Sequence, residues 1–366
     1  MTMVEINQRS LRDVDWLLLL APVALTVFGC IGIASTAPGS ELNKQVIALG
    51  IGLVLAIVVM FTDYRKIIVN IAPFFYGAVI LLLIVVLIPG IGKQINGNQA
   101  WIRLAGFSLQ PSEFAKVATI LMLARHMARY RSGSLSLKDM AIMAAIVLPP
   151  VILIALEHDT GTMLTFGAIL GAFYFLGGLR KTLVVAGCVV VVAGLIVVYP
   201  HLKGYQKERI DVIIHPEKAD PKGFAYQTIQ SVIAVGSGGV TGKGIGHGTQ
   251  GRLGFLPFAW TDFIGAVVAE EMGLVGVLLM MALYLILVWR LITVALGARD
   301  RAGAMMVMGF VSLIAFHILS NLGMVVGIMP IMGIPLPLMS SGGTAVISMF
   351  LGVGLALSVR MRRFVN

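Results

Sequence analysis

The sequence predicts an all-α polytopic membrane protein, and two observations lead to that prediction. Hydrophobic residues make up 58% of the 366 residues and charged residues only 12%, whereas soluble proteins carry about 25% charged residues. Several apolar runs also reach the roughly 20 residues that a helix needs to cross a bilayer. In such an apolar chain, the net charge of +10 indicates basic anchors on the cytoplasmic side and no nucleic-acid partner.

Apolar windows predict ten transmembrane helices in a single domain, 1–366. The first run lacks a small-residue cleavage site, so we expect it to remain as a helix. Charged residues interrupt the fourth run most, and a glycine-containing turn separates the sixth from the seventh. The spans are 15–36, 44–62, 67–90, 111–130, 140–157, 160–178, 181–199, 262–290, 303–327 and 339–360. Cys30 and Cys188 lie inside such runs and suggest neither a disulfide nor a metal site.

Basic residues set the orientation of the spans. They concentrate in the connections on one side of the predicted bundle, which places both termini in the cytoplasm. The residues on that side include Arg65, Lys66, Arg125, Arg129, Arg180, Lys181, Arg290, Arg299, Arg301 and Arg360. Segment 200–261 is then a large extracytoplasmic loop between helices 7 and 8, and 91–110 is a medium external loop.

Asp262 begins the eighth predicted span, shortly after Pro257 and directly after Thr261. A carboxylate at a helix N-terminus is stabilised by about 0.3–1 kcal/mol through the helix dipole, so a capping residue is one interpretation. The other is a carboxylate at the outer membrane boundary that reaches an external substrate and acts as a general base. The residues alone leave both open.

Glu270 and Glu271 lie deeper in the same span. At about 100° per residue, only Glu270 shares the general face of Asp262. Ionisable residues at this depth usually face the protein interior and pair with a cation. We therefore expect a structural role for at least one of them, with Glu270 as the cavity-side candidate.

The segment before the fourth span contains a second polar cluster. Gln110–Ser112 predicts a helix start, and Glu113 and Lys116, three residues apart, can pair on one helix face. Either this pair makes both charges tolerable near lipid, or it faces a cavity shared with the aspartate. Trp101 and Arg103 precede it, and a tryptophan at an interface is usually an anchor.

Two more external segments are polar. Asp159 lies in the short connection EHDTGT, where Asp, Thr and Gly also favour an ordinary turn. The glycine-dense stretch 236–248 contains Lys243, and its backbone N–H groups can turn toward an anion; a flexible linker is the alternative. Polar and apolar residues around Gln230 interleave at helical spacing, which predicts an ordered, half-buried part of the large loop.

The last polar segment is MPIMGIPLPLMSSGGTA. Its three prolines prevent a continuous helix, and Gly342 and Gly343 allow close backbone approach. Non-helical backbone at membrane depth persists only when it is buried in protein or lines a cavity. We therefore expect Ser340, Gly342 and Gly343 to lie beside the site.

Together, the motifs QPSEFAK, GYQ, IQSVIAVGSGGVTGKGIGHGTQ, TDFIGAVVAEEMGLVG and GIPLPLMSSGG resemble the SEDS family of bacterial cell-wall proteins. The short tails and the GKG…GTQ form are more similar to the family's elongation type than to its division type. The resemblance implies ten helices in the bacterial cytoplasmic membrane and peptidoglycan glycosyltransferase activity on lipid II. It also implies a class B penicillin-binding protein and other membrane proteins of the elongation machinery as partners.

The resemblance assigns roles residue by residue. The family's essential aspartate falls on Asp262, its Pro-Ser-Glu-x-x-Lys segment on Glu113 and Lys116, its Pro-Asp-x-Gly-Thr turn on Asp159, and its GKG lysine on Lys243.

This sequence departs from the family pattern at three places. His158 replaces the proline of the Pro-Asp-x-Gly-Thr turn. Phe258 and Trp260 replace polar residues that usually precede Thr-Asp, and Ser341 replaces the usual tyrosine before Gly342.

The resulting hypothesis is a polymerase in which Asp262 takes the proton of the acceptor sugar hydroxyl as this attacks the donor's anomeric carbon. Lys243, Lys116 and Arg209 are candidates to neutralise the leaving undecaprenyl pyrophosphate. A divalent cation, Mg²⁺ or Mn²⁺, could assist there, although no ligand cluster demands one. The alternatives are a lipid II flippase, whose polar groups should continue toward the cytoplasm, and a non-catalytic scaffold.

Overall fold

A computed structural model of the protein describes residues 14–95, 98–104, 107–129, 135–179 and 225–363, together with Thr182 and Val185. Within this part of the chain, seven helices are long and apolar enough to cross a membrane. They are α1 (Trp16–Thr36), α2 (Gly39–Phe61), α3 (Tyr64–Val86), α5 (Leu137–Leu156), α9 (Ile264–Leu296), α10 (Arg301–Val325) and α11 (Gly343–Met361).

Four shorter or more polar helices complete the described part. They are α4 (Pro111–Ala128), α6 (Thr160–Leu176), α7 (Ala225–Ser237) and α8 (Thr249–Arg252). Of the ten predicted spans, nine therefore coincide with a described helix to within a few residues at each end. The seventh, 181–199, lies outside the described residues apart from Thr182 and Val185, and so does Cys188.

The segment 91–110, which the sequence predicts as a medium external loop, contains a small β-sheet. The strands β1 (Gly92–Ile95), β2 (Asn98–Leu104) and β3 (Phe107–Leu109) pair antiparallel in that order. Gln99 N–H donates to the Glu157 carbonyl at 3.2 Å, and the Thr344 hydroxyl donates to the Ser108 carbonyl at 2.9 Å. The sheet is therefore tied to the turn before α6 and to the start of α11.

The core lies around α10 and α11, which are the most enclosed of the membrane-length helices. α11 packs on α2, and a Cβ at Gly354 would come within 2.7 Å of the Ala56 carbonyl oxygen. Glycine is needed there because the two helix backbones touch. α10 packs against α4, α6 and α9, so it connects every element that carries a predicted site residue near Asp262.

The helix α9 is broken at Gly273, whose φ of 63° and ψ of −159° are not helical. The glycine-rich segment before α8 replaces the missing helix hydrogen bonds. Leu274 N–H donates to the Gly239 carbonyl at 3.0 Å, and Lys243 N–H donates to the Glu270 carbonyl at 3.0 Å. A Cβ at Gly273 would lie 2.4 Å from Gly242 N, so only glycine fits this junction.

Candidate active site

Asp262 lies in a tight turn that precedes α9. The N–H groups of Thr261, Asp262 and Phe263 all donate to the Phe258 carbonyl, at 3.1, 3.0 and 3.3 Å. Phe258 adopts a positive φ of 58°, a strained conformation for a non-glycine residue. The N-cap position of α9 is Phe263, and it has no side-chain cap. Capping therefore does not explain the Asp262 carboxylate.

Three successive carbonyl groups hold this turn in place. The Trp260 carbonyl accepts from Ser341 N–H at 2.9 Å, and the Thr261 carbonyl accepts from the Ser340 hydroxyl at 2.5 Å. The Asp262 carbonyl accepts from Asn321 Nδ2 at 2.8 Å. The backbone is thus fixed while the Asp262 carboxylate stays free of these bonds, and Asp262 remains partly exposed.

The loop between α10 and α11 is wedged beside the carboxylate. Asn321 Nδ2 also donates to the Ile334 carbonyl at 2.8 Å, so one amide clamps both segments. A Cβ at Gly333, whose φ is +67°, would lie 4.0 Å from Asp262 Oδ2. On the other side, a Cβ at Gly161 would come within 2.1 Å of the Met332 carbonyl oxygen. This placement agrees with the expectation from the three prolines.

Asp159 faces the same loop from the other side, as the N-cap of α6. Its carboxylate accepts from Thr162 N–H at 3.0 Å and from the Thr162 hydroxyl at 2.8 Å. Gln110 Nε2 adds a longer contact at 3.4 Å. Asp159 therefore caps α6, as expected for an ordinary turn residue, and its negative charge also acts on Asp262.

The electrostatics separate Asp262 from an ordinary surface aspartate. Burial raises the pKa of the Asp262 carboxyl to about 6, the Thr261 hydroxyl opposes this rise, and the negative charge of Asp159 adds to it. Burial also raises the pKa of Asp159, against the two hydrogen bonds from Thr162. A carboxyl with a pKa near 6 is ionised at neutral pH yet basic enough to accept a proton.

Glu113 and Lys116 form the predicted pair, with Lys116 Nζ 2.8 Å from Glu113 Oε1 and both side chains almost fully enclosed. Ser348 donates to the second Glu113 oxygen at 3.3 Å. The Lys116 charge acts on Asp159, so the pair belongs to the polar interior behind the site. Its ammonium is held by Glu113 and is not presented at a surface.

Lys243 lies elsewhere, at the Gly273 junction. Its Nζ lies 2.7 Å from Glu270 Oε1 and 3.0 Å from the Thr249 hydroxyl. Glu270 also accepts from Thr249 N–H at 2.8 Å and from Gln250 N–H at 3.1 Å. The predicted cation partner of Glu270 is therefore Lys243, and the glycine-dense stretch turns its N–H groups onto helix carbonyls of the protein itself.

The remaining predicted residues belong neither to the Asp262 turn nor to the Lys243–Glu270 pair. On β2, Trp101 is half-buried and Arg103 is exposed. Gln230 is half-buried on α7, which confirms the helical reading of this part of the loop. Gly342 N–H donates to Gln45 at 3.2 Å, and Gly343 is the first residue of α11. Arg209 lies outside the described residues.

Three buried polar residues near the site were not predicted from the sequence. Asn321 and His317 are four residues apart on α10, and His317 Nδ1 lies 3.1 Å from the Pro335 carbonyl oxygen. Glu157 is fully buried with no hydrogen-bond partner for either carboxylate oxygen among the described residues. Burial and Asp159 raise the pKa of Glu157 to about 8. Polar residues inside apolar runs were the available signal.

Comparison with known proteins agrees with the family resemblance of the sequence motifs. The FTSW_RODA_SPOVE family profile, described as cell cycle protein, matches residues 17–364. The peptidoglycan glycosyltransferase MrdB of Escherichia coli (strain K12) is 38% identical over 365 residues, which are 98% of this chain and 97% of that protein.

Two solved structures are similar over 96% of this chain. One comes from work on the structural coordination of polymerization and crosslinking by a peptidoglycan synthase complex; its TM-score is 0.82, with 34% identity and 99% of that chain covered. The other is the crystal structure of the rod shape determining protein RodA of Thermus thermophilus, with a TM-score of 0.71, 30% identity and 98% of that chain covered.

Proposed function

The chain belongs to the FtsW, RodA and SpoVE family, and we propose that it is a peptidoglycan glycosyltransferase that polymerises lipid II during cell elongation. The names of its relatives support the reaction class. The observation that supports the catalytic role is the Asp262 turn, where the backbone is clamped and the carboxylate is partly exposed with a raised pKa.

In the proposed reaction, the acceptor hydroxyl oxygen attacks the anomeric carbon of the donor sugar. The bond between that carbon and the pyrophosphate oxygen breaks, and undecaprenyl pyrophosphate leaves with the electron pair. The hydroxyl proton passes to Asp262, which acts as the general base. Direct displacement inverts the anomeric centre, so an α-linked precursor becomes a β-linked glycan.

The leaving pyrophosphate needs positive charge nearby. Lys116 and Lys243 are both paired with glutamates, so neither brings an unneutralised charge. Of the two, only Lys243 has an appreciably exposed side chain, at 28% against 1%. We propose that Lys243 assists the pyrophosphate as a secondary role and that Arg209 and the exposed Arg103 supply further charge. A divalent cation at the pyrophosphate stays a prediction.

The proposed topology places Asp262 on the extracytoplasmic side of the cytoplasmic membrane. It counts α4 and α6 as spans beside the seven apolar helices and adds 181–199 as the seventh of ten. Both termini are then cytoplasmic. Labelling a cysteine at Ile245, which is exposed, in a protein with Cys30 and Cys188 replaced by serine tests this. Reaction with a membrane-impermeant reagent in intact cells is expected.

A class B penicillin-binding protein is the proposed partner. The similar synthase complex coordinates polymerization and crosslinking, and a polymerase without crosslinking activity of its own needs such a transpeptidase. We expect the two proteins to purify together from detergent-solubilised membranes.

The decisive experiment is polymerisation of labelled lipid II in detergent by the purified complex with an inactivated transpeptidase. The wild-type chain should produce glycan strands, and Asp262→Ala should fold and produce none. A flippase or a scaffold makes no glycan in this assay. An Asp262→Ala protein that polymerises at the wild-type rate would exclude the general-base role.

A further inference from the structure

A basic pocket lies at the opposite end of the bundle from Asp262. Met122, Arg125 and His126 on α4, Arg129 at the C-cap of that helix and Ile146 on α5 line an open pocket of about 220 Å³. Arg125 and Arg129 are four residues apart, so they lie on one helix face. Arg129 is about 24 Å along α4 from Glu113 at 1.5 Å per residue. In the proposed topology this is the cytoplasmic boundary of the membrane.

The carboxylate beside this pocket is already engaged. Asp139 on α5 binds His126 Nε2 at 3.2 Å through one oxygen and the Ser136 hydroxyl at 2.5 Å through the other. Within the described part of the chain, neither Arg125 nor Arg129 forms an ion pair with a carboxylate. Among the described residues, the two arginines therefore have no ion-pair partner, and the nearby Asp139 carboxylate contacts His126 instead.

Three other arginines at this end form ion pairs within the described part of the chain. Arg65 lies 3.0 Å from Asp300, Arg362 lies 3.7 Å from Asp63, and Arg290 pairs with Asp15. These pairs join separate segments of the chain. The pocket arginines join nothing of this kind, although Arg125 is half-buried.

The chemistry of the lining selects the ligand. Two guanidinium groups on one face suit the oxygens of a phosphodiester, which arginine binds through parallel N–H donors. Met122 and Ile146 form an apolar wall, and Ile142, one turn before Ile146 on the same face of α5, is 37% exposed. The acyl chains of a phospholipid whose phosphate bound here would lie against this apolar surface. A soluble phosphate would not use that surface.

We propose that this pocket binds the phosphodiester headgroup of an anionic phospholipid, whose acyl chains lie along α4 and α5. Basic pockets between helices at the cytoplasmic boundary have the right charge for such headgroups. A zwitterionic lipid fits less well because its own cation would stand beside the arginines. The pocket lies at the opposite end of α4 from Glu113, so it is separate from the proposed polymerisation site.

The test measures lipid binding by native mass spectrometry of the full chain in detergent. Phosphatidylglycerol and phosphatidylcholine with identical acyl chains are titrated separately. Wild-type protein should prefer phosphatidylglycerol, and the double variant Arg125→Gln/Arg129→Gln should bind it about thirty-fold more weakly, since each basic group near a membrane contributes about fivefold. The control Lys66→Gln/Arg360→Gln removes the same charge away from the pocket and should bind normally.

Three outcomes would overturn the proposal. Equal binding of the two lipids by wild-type protein excludes headgroup selection, and this comparison needs no variant. An equal loss in the control variant shows diffuse attraction. Displacement of phosphatidylglycerol by glycerol phosphate at similar concentration shows that the pocket takes a free phosphate compound. Because the readout is lipid binding, this proposal and the polymerase proposal can fail independently.

Discussion

Asp262 and Glu270 lie eight residues apart, yet their carboxylates have opposite surroundings. Glu270 is 1% exposed, and its carboxylate accepts bonds from the Lys243 ammonium, from the Thr249 N–H and hydroxyl, and from the Gln250 N–H. Among the described residues, the Asp262 carboxylate receives support from the Thr261 hydroxyl alone. The Glu270 carboxylate already accepts hydrogen bonds at both oxygens, whereas the Asp262 carboxylate has lone pairs available.

The two regions distribute their hydrogen bonds differently. Around Asp262, the donors of Ser341, Ser340 and Asn321 go to the backbone carbonyls of residues 260–262. Around Glu270, the donors go to the side chain itself. A fixed backbone with a free carboxylate is the arrangement that general-base catalysis needs, because the base keeps its position and its proton affinity. The fully hydrogen-bonded Glu270 carboxylate instead stabilises the junction at Gly273.

The largest expected effect comes from matched isosteric substitutions. Asp262→Asn should lower lipid II polymerisation by about 10²–10⁴-fold, the usual contribution of a general base, with an unchanged melting temperature. Glu270→Gln keeps the shape of the junction and should retain most activity in the surviving folded protein. Polymerisation rates and thermal unfolding in detergent measure both. If Asp262→Asn and Glu270→Gln lost the same activity at equal concentrations of folded protein, the two carboxylates would not have the different roles proposed for them.

The next effect concerns stability at the Gly273 junction. Glu270→Ala removes the acceptor of the Thr249 and Gln250 N–H groups, which costs about 1–3 kcal/mol for each donor left unsatisfied, and should lower the melting temperature strongly. Lys243→Ala should cost less, because the lysine side chain is partly exposed and Glu270 keeps its bonds from Thr249 and Gln250.

The same pair of variants also tests the secondary role of Lys243. If this lysine also contacts pyrophosphate, Lys243→Ala will slow polymerisation at limiting lipid II in protein that is still folded. An unchanged rate would leave Lys243 with the structural role only.

Local patterns predicted much of this architecture. Apolar runs located nine of the described helices, seven of which are long and apolar enough to cross a membrane. A helix that crosses lipid must satisfy its own backbone and therefore shows as a continuous run. The i,i+3 spacing predicted the contact between Glu113 and Lys116 for a similar reason, since both partners lie on one helix. The helix around Gln230 followed from periodicity.

Contacts between distant segments were not predictable in this way. Nothing in the residues around Asn321 indicates that its amide binds a carbonyl 59 residues earlier in the chain. The break at Gly273 was hidden because glycine is common in membrane helices. The strands β1 and β3 have only four and three residues, too few to show a clear alternation. The site geometry therefore depends on tertiary packing that a single sequence does not encode locally.

Removal of the amide clamp should have a smaller effect than removal of the base. Asn321→Ala loses the donor to both the Asp262 and Ile334 carbonyls, so the turn can shift. We expect about a tenfold to hundredfold loss of polymerisation, since a displacement of about 1 Å can cost a hundredfold. Ser320→Ala, a buried neighbour on the same helix, is the control. Equal activity of both variants would show that the clamp does not position Asp262.

The smallest effect is a shift in pH dependence, and it tests the electrostatics of the site directly. Because burial raises the Asp262 pKa to about 6, the carboxylate is ionised above this pH and protonated below it. Polymerisation at limiting lipid II should therefore fall about tenfold per unit as the pH drops below 6. Asp159→Asn removes a negative charge that favours the protonated form of Asp262. The pH at which the polymerisation rate begins to fall should therefore be lower in this variant. Glu270→Gln should leave this pH dependence unchanged, because the groups that shift the Asp262 pKa are Thr261 and Asp159, not Glu270. A pH dependence that moves with Glu270 and not with Asp159 would mean that the titrating group belongs to the helix junction.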